Sequence, residues 1–139
     1  MKILVLHGAN LNMLGKRDVL HYGTLTLAEL NKLVAEYAES KGIKTEFYQS
    51  NYEGDLIDIL QRTEADAVIL NAGAFTHYSY AIRDALTDYG KRVVEVHLSD
   101  IMSREDFRKI SVFDGVAVAK FYGEKQNSYY KAIDFLVTE

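Results

Sequence analysis

The sequence contains no cysteine, no proline and no tryptophan in 139 residues. Without cysteine there is no disulfide, no thiolate metal ligand and no cysteine nucleophile. Four histidines alone are a thin basis for a structural zinc, so no metal is expected. Proline averages about 5% of residues elsewhere; here loop geometry falls to nine glycines and to Asn and Asp. There is no surplus of positive charge. Sixteen Lys+Arg stand against 20 Asp+Glu, for a net charge of −4 and a pI near 5.6. That balance argues against a sequence-independent nucleic-acid binder. Long apolar runs are also missing, and a membrane span needs about 20 such residues. The start, MKILVLHGAN, has one Lys and too short an apolar stretch for a signal peptide. The expectation is a soluble, cytoplasmic chain with neither nucleic acid nor membrane as partner.

The length suits one domain over residues 1–139. A chain of this size buries about two-thirds of its unfolded surface, ample for a core. Short apolar runs alternate with amphipathic stretches. Ile3 to Leu6, Ile43 to Gln49, Ala67 to Leu70, Val93 to Val96 and Val116 to Ala119 read as strands. Residues 26–41, 53–63, about 78–88 and 127–137 carry helical spacing. Gly42 and Gly90 mark two helix ends. Ser103 is expected to open a short helix, with Asp106 completing a weak capping box. Residues 8–24 have no period and read as a long loop. Five strands alternating with helices predict an α/β sandwich of three layers around a parallel sheet. The commonest order at this size is the flavodoxin-like 2-1-3-4-5. Ligands bind such sheets beyond the carboxyl ends of the strands.

Three strand ends carry chemistry. After the first comes HGANLNMLGKRDVLHYG, a polar loop long enough to be a lid, with Arg17 and Tyr22 between Gly15 and Gly23. Tyrosine titrates near pH 10 in water, so a tyrosine base needs a neighbouring positive charge at neutral pH. After the third comes NAGAFTHYSYAIRDAL, in which Asn71 follows the strand directly and His77 is placed at the start of the next helix. Asp84 and Arg83 fall in that helix, where a surface ion pair is the ordinary role. The fourth strand reads VVEVHLSD, and alternation puts Glu95 and His97 on one side. A carboxylate beside an imidazole selects its tautomer and strengthens it as a base. Leu98 and Ser99 then offer backbone amides to a carboxylate. Arg104 and Arg108 are spaced to share one side of a helix. Taken singly, most of these residues have an ordinary structural explanation. Together they suit proton abstraction beside a carbonyl followed by loss of a leaving group. Neither G-x-x-x-x-G-K nor G-x-G-x-x-G is present, so no phosphate loop is expected.

Four segments carry a resemblance: HGANLNMLGKRDVLHYG, FYQSNYEGDLIDIL, ILNAGAFTHYSYAIRDAL and VVEVHLSDIMSREDFRKIS, in that order. The chain resembles type II 3-dehydroquinate dehydratases, closely over residues 1–112 and less so from Phe113 onward. The resemblance implies a flavodoxin-like fold and a reaction without metal, cofactor or Schiff base. It implies that Tyr22 removes a proton from C2 of 3-dehydroquinate to give an enolate, and that Arg17 favours the tyrosinate. Asn10 would help hold a water facing the enolate oxygen. His97, oriented by Glu95, would protonate the departing C1 hydroxyl. Asn71, His77 and Arg108 would bind ring oxygens, and the backbone at Leu98 and Ser99 the carboxylate. Asp84 would be donated by a neighbouring subunit of a homo-oligomer, trimers stacked into a dodecamer.

Some positions depart from the family pattern. The lid commonly reads R-E-P-x-x-Y-G, whereas this chain has Arg17, Asp18, Val19, Leu20, His21, Tyr22, Gly23. Loss of proline widens the choices of the open lid. His7 and Ala9 stand for the usual Asn and Pro, Asp100 for Asn, and Asp114–Gly115 for Ser–Pro. Two readings from other classes are weaker. A flavodoxin or a phospho-acceptor receiver needs a Ser/Thr-rich first loop or an Asp where Asn71 stands. A regulatory relative without activity has no evident reason to keep Tyr22, Arg17, His97 and Glu95 together.

Overall fold

The structure is a computed structural model that describes residues 1–138. Strands β1 (Lys2–His7), β2 (Lys44–Gln49), β3 (Ala67–Asn71), β4 (Arg92–His97) and β5 (Ala119–Tyr122) form one parallel sheet in the order β2-β1-β3-β4-β5. Helices α1 (Val19–Tyr22), α2 (Leu27–Ser40), α3 (Glu53–Arg62), α4 (Tyr80–Tyr89) and α5 (Gln126–Val137) connect or follow them. Period-two alternation divides the core. Ile3, Val5, Ile69 and Val96 pack with α2 and α5, while Leu4, Leu6, Val68 and Leu70 pack with α3 and α4. This is the three-layer α/β sandwich expected from the sequence.

Local chemistry sets the helix bounds. Thr26 Oγ1 accepts from Glu29 N and Glu29 Oε1 accepts from Thr26 N, a complete capping box for α2. Leu30, Val34 and Ala38 then fall on one buried stripe. Ser79 Oγ caps α4 by accepting from Ile82 N. No helix among the described residues is long and apolar enough to cross a membrane.

Three local expectations are corrected. The loop over residues 8–24 contains a 3-10 turn at Leu11–Met13 and the single-turn helix α1, capped by Asp18 Oδ1 on Leu20 N. One turn is too short for periodicity to reveal. Ser103 and Asp106 make no capping box. Instead, Asp100 Oδ1 accepts from Met102 N, and 3-10 turns at Ile101–Ser103 and Asp106–Lys109 are parted by extended backbone at Arg104. The fifth strand is Ala119–Tyr122 rather than Val116–Ala119. Val116 and Ala117 turn back on Phe113 O and pack against the α3/α4 core, so the first half of the apolar run marks packing, and pairing with β4 begins at Val118 and Ala119.

Candidate active site

The loops leaving β1 and β3 meet backbone on backbone. A side chain at Gly8 would overlap the carbonyl of Ala72, and one at Gly73 (φ 62°) that of Ala9. Gly8 N donates to Asn71 O at 2.7 Å. This close approach opens a cleft of about 90 Å³ at the carboxyl edge of the sheet. Asn10, Arg17, Tyr22, Asn71, His77, His97, Leu98, Ser99 and Arg108 line it, so the structure gathers most of the expected site. Glu95 lies behind His97 rather than on the wall. Asp84 is exposed on α4 and does not reach the cleft of its own chain. A neighbouring cavity of about 250 Å³ lies beneath the lid, sharing Tyr22 and Leu98 and otherwise walled partly by Leu14, Leu25 and Leu30. It contains none of the acid and base candidates except Tyr22.

His97 and Glu95 share a face of β4, as alternation requires. His97 Nε2 lies 2.6 Å from Glu95 Oε2. Glu95 Oε1 accepts from Ser111 Oγ at 2.7 Å, and the carboxylate is 1% exposed. Burial pushes the Glu95 carboxyl up. The bond to His97, its charge, the Ser111 hydroxyl and the Lys120 ammonium together hold it below the usual carboxylate value. An ionised Glu95 makes Nε2 of His97 a donor, which leaves Nδ1 for proton transfer.

His77 sits at the end of the 3-10 turn Gly73–His77, before α4 rather than at its start. Its Nδ1 donates to Ile110 O at 2.7 Å, so the neutral ring keeps Nε2 as an acceptor. Burial lowers its pKa, the Ile110 carbonyl opposes that, and His97 and Arg108 lower it further. Asn71 is fixed twice: its Nδ2 donates to Tyr129 Oη at 2.9 Å and its Oδ1 accepts from Gly73 N. Asn10 adopts φ 69°, a left-handed conformation that Asn tolerates better than most residues. Its backbone N donates to Asn51 Oδ1, which also accepts from Gln49 Nε2.

Helix α1 folds Arg17 and Tyr22 onto each other. Arg17 Nη2 donates to Tyr22 Oη at 2.9 Å, and its guanidinium carbon lies 3.8 Å from the ring centre. A second guanidinium arrives from the β4 side: Arg104 Nη1 donates to the same Oη at 2.6 Å and reaches Ser99 Oγ at 3.3 Å. Arg104 and Arg108 both line the cleft, although no continuous helix joins them. Ser111 and Asn51 are the site residues that sequence reasoning passed over, and Arg104, singled out there beside Arg108, was given no role. Arg104 had a visible signal in its spacing from Arg108. Ser111 had none, because its partner Glu95 is 16 residues away and its role depends on the turn between them.

Residues 1–137 match the protein family described as dehydroquinase class II. The chain belongs to that family. It is 53% identical over 135 residues to the 3-dehydroquinate dehydratase of Pelotomaculum thermopropionicum, covering 96% of this chain and 94% of that one. It is 49% identical over 136 residues to that of Dictyoglomus turgidum, with 96% and 94% covered. The crystal structure of a type II dehydroquinase from Butyrivibrio crossotus superposes with a TM-score of 0.95 at 45% identity, over 99% of this chain and 97% of that one. Membership in the class II dehydroquinase family makes the chain an enzyme of the hydro-lyase type, built on the flavodoxin-like order.

Proposed function

We propose that this chain removes water from 3-dehydroquinate to give 3-dehydroshikimate, in the shikimate pathway or quinate catabolism. The observation that carries the reading is Tyr22 Oη held by two guanidinium donors in a cleft that His97, backed by Glu95, also lines. An oxygen that accepts from two cations is matched to a phenolate. It takes a proton from the carbon beside the ketone, and the C–H electrons form the enolate. Asn10 holds a water against the enolate oxygen, at the loop braced by Asn51. Collapse of the enolate forms the C=C bond and breaks the C–O bond to the C1 hydroxyl. His97, protonated on Nδ1 and steadied by Glu95, gives its proton to that oxygen, which leaves as water.

The other residues position the substrate. The backbone at Leu98 and Ser99 receives the carboxylate, while Asn71, His77 and Arg108 hold ring oxygens. No lysine lines the cleft, which favours an enolate over an imine. Asp84 completes the site from a neighbouring subunit, in trimers that stack into a dodecamer. Purified protein mixed with 3-dehydroquinate is expected to raise the absorbance of the conjugated product and to survive borohydride treatment with substrate. No product, or lysine trapping, refutes the reading.

A further inference from the structure

Only two non-glycine residues among those described take a positive φ. One is Asn10, in the cleft. The other is Lys125, at φ 54° and ψ −134°, the residue that opens α5. Every local preference opposes a lysine here. Side chains avoid this backbone region, and such conformations persist only where the surroundings hold them. Helix N-caps favour Ser, Thr, Asp, Asn or Gly, and Lys125 supplies no side-chain cap bond. A positive charge at a helix N-terminus also opposes the dipole.

The side chain is engaged elsewhere. Lys125 Nζ donates to Leu20 O, in the middle of α1, at 3.1 Å. Its Cδ and Cε lie 3.3 and 3.5 Å from where a Cβ of Gly23 would stand, so the stem runs close over the residue after Tyr22. Its backbone N donates to Leu98 O at 3.2 Å, next to His97. The lid has one other tether across the cleft, Arg104 Nη1 on Tyr22 Oη, and Tyr22 packs partly against the core; otherwise no residue of α1 is buried, and the 250 Å³ cavity lies beneath it.

We propose that Lys125 is a positioning residue, a latch that ties the lid carrying Arg17 and Tyr22 to the strand end carrying His97. The latch itself is a statement about the free protein; its effect on turnover rests on the function proposed above. Lys125 holds the lid closed before substrate arrives, and bound substrate closes it in any case. Loss of the latch therefore lowers apparent affinity by the fall in closed fraction and leaves saturated turnover nearly intact.

The test is hydrogen exchange of the Tyr22 and Gly23 amides, which donate to Asp18 O and Val19 O within the lid. Lys125→Met keeps the stem and removes the donor. Exchange is expected to quicken about tenfold, the scale of one charged hydrogen bond, with KM for 3-dehydroquinate raised about as much and kcat within about twofold. Lys125→Arg restores a donor and is expected to recover most of the protection. Lys125→Gly relieves the backbone, so it should melt no lower than the parent chain while its lid exchanges quickly. Unchanged lid exchange in both Lys125→Met and Lys125→Gly overturns the latch. Absence of turnover in the parent chain refutes the proposed function but leaves the exchange measurement decisive for the latch.

Discussion

A carboxylate buried in a central strand is costly alone, and Glu95 is offset by His97, Ser111 and the nearby Lys120. Removing His97 takes away the acid. His97→Ala is expected to lose roughly 10²–10⁴-fold in turnover with folding retained. Ser111→Ala frees one oxygen of Glu95 without touching the acid. A drop in kcat of about tenfold or less is expected, with Ser111→Thr recovering activity; steady-state kinetics separate the two. His7 lies apart from this chemistry. It is fully buried, neither ring nitrogen has a hydrogen-bond partner among the described residues, and burial pushes its pKa down to about 3. The unfolded chain takes up a proton at His7 near pH 6.5, whereas the folded chain does so only near pH 3. Stability from this residue is therefore full above pH 6.5 and falls as pH drops toward 3. Between pH 7 and pH 5 the loss is about 2 kcal/mol. Urea unfolding at both pH values should show His7→Asn losing less than the parent chain; an equal loss would assign the acid sensitivity to other groups.

The lid and the segment after β4 work as one element, because Tyr22 bonds to Arg17 from one and Arg104 from the other. Tyr22→Phe removes one oxygen and both of these bonds. A loss of about 10²-fold or more in kcat is expected. Arg104→Ala should lose comparably, and the double variant little more than either alone, since both disable one proton-transfer unit. Additive losses measured in the double variant would separate Arg104 from the tyrosine. Much of this was legible in the sequence. Strand alternation foresees the Glu95–His97 pair, and five apolar runs between amphipathic stretches foresee the sheet order. The Arg104–Tyr22 bond was not legible, because its partners are 82 residues apart and meet only once the lid folds across the sheet edge. The β5 shift has another cause: Lys120, Phe121 and Tyr122 form a half-buried edge strand without an apolar run, while Val116 and Ala117 spend their apolar surface on the α4 side.

For the whole molecule, Asp84 decides whether one chain is enough. It is exposed on α4, outside its own cleft. If it serves a neighbour, light scattering should show at least a trimer. Mixing Asp84→Ala chains with His97→Ala chains should then give more activity than the two measured apart, because some mixed clefts regain both residues. Activity equal to the sum would confine each site to one chain. Another dependence runs along the chain rather than between chains. Tyr129 belongs to α5, the last helix described, and its hydroxyl accepts the Asn71 amide from the middle of the sheet. Synthesis proceeds from the amino end, so all five strands leave the ribosome before this partner does. A chain cut short ahead of residue 129 and released keeps all five strands, yet it leaves Asn71 held only by Gly73 N and the α2 face of the sheet without α5. The binding pocket is thus completed only by chain made after all five strands, and a chain cut short between β5 and residue 129 has a sheet without a finished site.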